Sequence, residues 1–440
     1  MRSLALLRMV RKVRCWGNVV HAIPHYRTSA VMTRRVRLLW VVLLLGLSFQ
    51  EALADETQVT PSIAVQTQYN DNIFLDSTNE LADYRLNVTP AIALTSRTER
   101  LDSNLSVAFP INRYADLDEL NAVDQIYSGG LRYQWSPRIA TSIQAGYLRD
   151  SQPDRDLLET GLVLGTGTRH RLSAGLSGDY AISEWTTAGL SYAYGDEKFK
   201  GPGYTDSDYQ TLNFVLTRNM ERTFANTYGR LTLSGSRYEF TPSTFDWPRN
   251  NVKNAAVMVG AVRRLTDLYS LSADIGLRYT RREYEVPRLE AAAPGLFRIV
   301  SGELKDEDVG GVGRAVLSYQ GESLRASFSA YQDIATSGGS AGLVQRTAFT
   351  FDVGKRFTYK LWGHFAASYY LNTSKGRELS LQEIDEKTGF LTPYLRYEYS
   401  RDLRFEASYS FGRINDRTNN TDAERNVVFL RVVYFHPLLQ

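Results

Sequence analysis

The chain has 440 residues, 43% of them hydrophobic and 22% charged, with a formal net charge of +3 at pH 7. Nine Lys or Arg and one acid, Glu51, precede Asp55, so a mature chain beginning there carries −5, and its charge balance gives no reason to expect a nucleic-acid partner. The single cysteine, Cys15, also lies upstream, which excludes disulfides and thiolate metal sites beyond it, while 27 Tyr and 32 Gly suit β structure outside the cytoplasm.

Residues 1–31 read as an extension from an early start, with Met32 the initiator. A basic TRRVR, an apolar run from Leu38 to Phe49 and the small-x-small site Ala52-Leu53-Ala54 then form a secretory signal peptide over 32–54. The apolar run is short for the roughly 20 residues that a membrane-spanning helix needs. Residues 55–440 read as one domain, with no linker or break in composition.

From Val59 onward, apolar and polar residues alternate. Leu86, Val88, Ile92 and Leu94 share one face, as do Leu105, Val107, Phe109 and Ile111. Ile139, Ile143, Ala145 and Tyr147 oppose Ser142, Gln144, Gly146 and Asp150; Tyr269 to Thr280 and Leu403 to Arg413 repeat the pattern. Period two sustained over ten or more residues marks long half-buried strands. Short links fall at 96–100, 136–138, 183–184, 219–222, 265–267, 320–323, 357–360 and 400–402, with a longer polar connection between each pair. Eight tight turns, each joining two strands, plus a first strand near Val59 and a last near Asn426, give an all-β, transmembrane, antiparallel up-and-down barrel of about 18 strands, with 16 as the alternative count.

Strands of this length cross a tilted bilayer span, and lipid leaves no partner for an open sheet edge. The apolar face therefore meets outer-membrane lipid, with Tyr269, Tyr279, Tyr409 and Tyr434 in aromatic girdles. The polar face lines the interior. Assigned there are Arg85, Arg132, Arg171, Arg278, Arg314, Arg325, Arg346, Arg396, Arg404 and Arg431, against Asp102, Asp179, Asp274, Asp352, Glu398 and Glu406. Such an excess of arginine favours anions, uronic or pyruvylated sugars among them, because its fork fits a carboxylate; cross-strand pairing that merely holds the wall is the competing reading. Trp362, Tyr370 and Tyr394 offer stacking faces for sugar rings, or packing for the wall.

Enzymatic chemistry has little support. His170, His364 and His436 stand beside no Ser or Asp at a recognised catalytic spacing, and no catalytic residue, metal or cofactor is assigned. The acids Asp71, Asp76, Glu80 and Asp83 lack the spacing of a calcium loop and read as a solvated connection.

The stretch Gln68 to Leu105 resembles the N-terminal signature of the β-barrel porin family of exopolysaccharide-locus outer-membrane proteins, the EpsL-like barrels. The resemblance rests on Tyr69 to Phe74 (YNDNIF), Pro90 in the second strand and the turn Ser96 to Arg100. It implies a Gram-negative outer-membrane barrel, polysaccharide export as its role, and partners in the barrel-assembly machinery and periplasmic export proteins. It supplies no functional residues. The last strand departs from the usual pattern, since Phe435 is followed by HPLLQ. Two other readings stand beside export: a diffusion porin whose long loops, Ser151–Thr168 or Glu285–Lys305, fold inward, and a barrel anchor with adhesive or partner-binding surface loops.

Overall fold

The computed structural model describes residues 56–153, 157, 161–162, 167–201, 204–242, 250–293, 296–336, 342–374 and 383–438. Residues 1–31 and 32–54, expected to be an upstream extension and a signal peptide, lie outside them. The strands begin with β1 Glu56–Asn70, β2 Asp83–Arg97, β3 Leu101–Ala108, β4 Ile111–Tyr114, β5 Ala122–Val123, β6 Gln125–Ser136 and β7 Ile139–Asp150. They continue as β8 Thr168–Ser183, β9 Thr186–Lys200, β10 Thr205–Asn219, β11 Thr227–Pro242, β12 Asn250–Arg264, β13 Tyr269–Ala293 and β14 Leu296–Gln320. The remainder are β15 Leu324–Thr336, β16 Leu343–Arg356, β17 Leu361–Ser374, β18 Ile384–Glu398, β19 Leu403–Asp416 and β20 Thr421–Phe435.

β3 and β4 both pair with β2, while β6 pairs with β3 and β5 with β4. Phe109-Pro110 and Asp124 thus interrupt two staves without adding any, and the twenty segments make eighteen. A proline at such a break is expected, because it has no N–H to give the ladder. Every neighbouring pair is antiparallel, and β1 closes on β20 from Ser62↔Phe435 to Asn70↔Val427. The barrel is closed, with no exposed sheet edge along this seam. Beyond Phe435 the chain keeps to β1, with His436 N–H on the Pro61 carbonyl at 3.0 Å and Leu438 N–H on that of Val59 at 2.9 Å.

The eight turns at one end are short, the longest being 220–226; at the other end the connections run from two residues between β13 and β14 and four between β9 and β10 to twelve between β1 and β2 and seventeen between β7 and β8. One expected loop is absent. Residues 285–293 and 296–305 extend β13 and β14, which pair in register from Tyr269↔Tyr319 up to Ala291↔Phe297. β14 meets β15 only from Gly313↔Gln332 to Gln320↔Arg325, so the two strands part above that point. The edge of β14 left there carries Lys305, Asp306, Glu307 and Asp308, the kind of charge that discourages strand addition.

The outer face is apolar through the middle of the strands. Ile275, Leu277 and Val309 are 77%, 67% and 68% exposed, and Leu190, Leu212, Val259 and Leu430 lie on the same surface. Tyr269 and Tyr434 stand near the turn end of this face and Tyr279 and Tyr409 near the loop end. No aqueous protein keeps so continuous an apolar surface around a closed sheet. The chain is a β-barrel of the Gram-negative outer membrane, with its short turns on the periplasmic side.

Candidate functional site: a vestibule closed at the loop end

The inward residues fall into two zones. Toward the loops, Asn250, Thr280, Arg282, Leu343, Val344, Ala348, Asn372 and Thr388 are at most 1% exposed. Wall residues of a water-filled channel of this width would be wetted; these are dry because described parts of two segments turn into the barrel. The first lies between β7 and β8. Its Leu157 is buried with Leu75, Ala348, Tyr370, Phe390, Ile414 and Ala423, residues of the β1–β2 connection and of β16 to β20 rather than of the strands that carry the loop. The Thr388 hydroxyl donates to the Gly161 carbonyl at 2.5 Å. Gly161 has φ +73°, and a Cβ there would stand 2.9 Å from Tyr370, so both its backbone conformation and this close approach require glycine.

The second segment is the upper part of β15 and β16. Leu343 packs on Phe240 and Val252 of the facing wall, with Ile334 against the same cluster. Leu343 and Val344 are both fully buried although they are sequence neighbours. A strand lying in the wall would send one of them outward. Arg278 beneath them donates to Thr280 at 2.9 Å and reaches Asp308 at 2.8 Å, and Gly310 leaves room for its guanidinium, which a Cβ would meet at 2.6 Å.

The YNDNIF stretch has a local structural role. Asp71 accepts hydrogen bonds from the Asn426 backbone N–H at 2.6 Å and its side chain at 2.7 Å, while Asn72 donates to the carbonyls of Asp76 and Glu424 at 2.9 and 3.0 Å. This clasp fastens the β1–β20 seam from above. Asp83 accepts from the backbone N–H groups of Ala115, Asp116 and Leu117. The N–H groups of Thr78 and Asn79 hold the Asp76 carboxyl below its usual range. Among the described residues no cluster suits a metal ion.

Toward the turns the interior is open and charged. Arg97 pairs with Asp102 at 2.7 Å, and Arg132 lies directly opposite that acid. Arg230, Gly260, Asp274 and Arg314 form a row across four strands. Gly260 leaves the gap through which Asp274 reaches Arg230, with Nε to Oδ1 at 2.9 Å. Arg171 pairs with Glu197 across β8 and β9 far from that end, near the loops, where Glu197 is buried. Arg325 faces the vestibule from β15, and Arg85 and Arg346 sit higher, against Gln68 at 2.7 Å and Asn372 at 3.3 Å respectively.

The densest cluster lies on β18, β19 and β20, where Arg396, Glu406 and Arg431 are adjacent in register. Glu406 is 4% exposed. It takes Arg404 at 3.1 Å, Arg396 at 3.7 Å and the Arg431 Nε at 2.5 Å, while Glu398 lies opposite Arg404. We expect Glu406→Gln to destabilise the barrel by about 1–3 kcal/mol, less than for a fully buried pair because the guanidiniums rehydrate from the vestibule. Arg431→Gln should cost less, since two arginines still satisfy the carboxylate; denaturant titration in lipid vesicles ranks the two, and the reverse order would refute this placement.

His364 Nε2 stands 2.7 Å from Asp352 on the neighbouring strand, a pairing hidden in the sequence by a separation of twelve positions. Among the described residues no Ser, Thr or Cys hydroxyl or thiol hydrogen-bonds His364. Trp362 lies under Arg356 with 5.6 Å from guanidinium carbon to ring, Tyr394 is beside Arg396, and Tyr370 is packed into the dry zone.

No family model matches the chain, and no curated protein matches it. Among solved structures, the chain is similar to the siderophore receptor PirA from Pseudomonas aeruginosa, with 10% identity, a TM-score of 0.44, and coverage of 87% of this chain and 81% of that one. It is also similar to OccAB4 from Acinetobacter baumannii, at 10% identity and TM-score 0.45, over 87% of this chain and 99% of that one. OpdO from Pseudomonas aeruginosa gives 10% identity and TM-score 0.44 over 88% and 99%.

Proposed function

We propose that the protein is an outer-membrane conduit for exopolysaccharide, entered from the periplasm and shut at its outer end in this structure. The carrying observation is the asymmetry of the interior, with a wetted, arginine-bearing vestibule at the turn end and a dry zone at the loop end. A cargo made in the cell meets the open end first. The likeness of Gln68 to Leu105 to the EpsL-like barrels supports the same reading. Arg85, Arg132, Arg171, Arg278, Arg314, Arg325, Arg346, Arg396 and Arg404, with Asp274, Glu398 and Glu406, would line the path, and periplasmic export proteins would deliver the polymer. A pore of this kind needs no chemistry of its own.

The docked Leu157 also favours a second reading, a diffusion porin with an inward-folded loop. Deleting the gene separates the two. Loss of surface polysaccharide with unchanged small-solute uptake is the expected result; intact polysaccharide with impaired uptake would transfer the assignment to the porin.

A further inference from the structure

We infer that the vestibule wall formed by β17 to β20 binds an acidic sugar unit, its carboxylate held by Arg396, Arg404 and Arg431 and its ring lying against Tyr394. The proposal deepens the conduit reading, on which it rests for the saccharide nature of the cargo. Three guanidiniums present about fifteen N–H donors, whereas one carboxylate offers about four acceptor positions. A structural pair needs one arginine, and Glu406 has three. It is buried behind them, while the side chains of Arg396, Arg404 and Arg431 remain 38%, 24% and 36% exposed. Each therefore presents side-chain surface to the vestibule, although the Arg404 Nε itself is buried. Arginine also offers the planar fork that matches a carboxylate, which lysine would not.

Aromatic rings interleave with these cations. The Arg396 guanidinium carbon is 5.8 Å from the Tyr394 ring centre and that of Arg431 is 5.7 Å from Phe429. The rings of Tyr394 and Phe429 are 6.5 Å apart, and His364 meets Tyr394 edge-on at 6.4 Å. A simple anion would use only the guanidiniums and a neutral sugar only the rings. A uronic or pyruvylated residue uses both. The other charges facing the strip leave the balance positive: Glu398 opposes Arg404, Asp352 is engaged by His364, and Arg356 sits over Trp362.

The test is calorimetric titration of the chain, folded in detergent micelles, with trigalacturonic acid and with maltotriose. The acidic trimer is expected to bind at least about tenfold more tightly, and Arg396→Gln with Arg431→Gln to remove at least about tenfold of that affinity. Should the double variant lose the heat-modifiable migration of a folded barrel, Arg404→Lys replaces it, keeping the charge and weakening acid binding several-fold. Equal affinity for the two trimers, or acid binding unchanged in a folded variant, overturns the inference. Gene deletion judges the export reading separately: tight acid binding with intact surface polysaccharide would keep the site and discard export, and the opposite pair of results would discard the site alone.

Discussion

Leu343→Asp is expected to open the barrel. Leu343 is fully buried against Phe240 and Val252, inside rather than on the lipid face. An isolated carboxylate in such surroundings costs on the order of tens of kcal/mol before anything relaxes. Withdrawing the upper end of β16 uncovers Phe240 and Val252, at about 1.5–3 kcal/mol each. Withdrawal is the cheaper response. The wall itself survives, because the β15–β16 ladder continues from Asp333↔Arg346 down to Leu324↔Lys355. In planar bilayers the variant should conduct at least about tenfold more than the wild type, as expected when an apolar constriction is wetted. Adding Leu157→Asp, which attacks the other inward-folded segment, should raise conductance further. A folded double variant with wild-type conductance would show that these contacts do not close the path.

The second large effect lies on the opposite face. Ile275 is 77% exposed, midway between Tyr269 and Tyr279, and its outward neighbour on β14 is Gly313. Arginine there has no protein surface to snorkel across and meets hydrocarbon, so Ile275→Arg should cost about 2–4 kcal/mol in the folded barrel. Ser318→Arg, on the inner face opposite Ser270, should cost no more than about 1 kcal/mol, because water solvates the new charge. Guanidinium titration in lipid vesicles measures both, and equal costs would mean that the two faces have been misassigned.

The strand count was legible because period-two alternation is a local signal and each tight turn announces its own hairpin. What escaped sequence reading depends on contacts distant in the chain or outside the bilayer. Residues 285–305 read as a loop because Pro287, Pro294 and several charges break the apolar alternation; above the membrane a strand needs backbone pairing but no greasy face. The inward turn of Leu343 and Val344 is invisible locally, since only the contact of Leu343 with β11 and β12 distinguishes a plug from a wall. The row through Arg230, Gly260 and Asp274 likewise requires knowing the register of three strands before the glycine between the charges acquires a meaning.

The near absence of cysteine makes the central claim directly measurable. In a Cys15→Ser background, Asn419→Cys, Ser327→Cys and Leu277→Cys place one thiol each in an outer loop, on the vestibule wall and on the lipid face. A water-soluble maleimide too large for diffusion pores, added to intact cells, should modify only the first. Once the outer membrane is permeabilised it should modify the first two and never the third. Labelling of Ser327→Cys from outside as fast as Asn419→Cys would contradict a barrel closed at its loop end, and ready labelling of Leu277→Cys would contradict the membrane barrel itself.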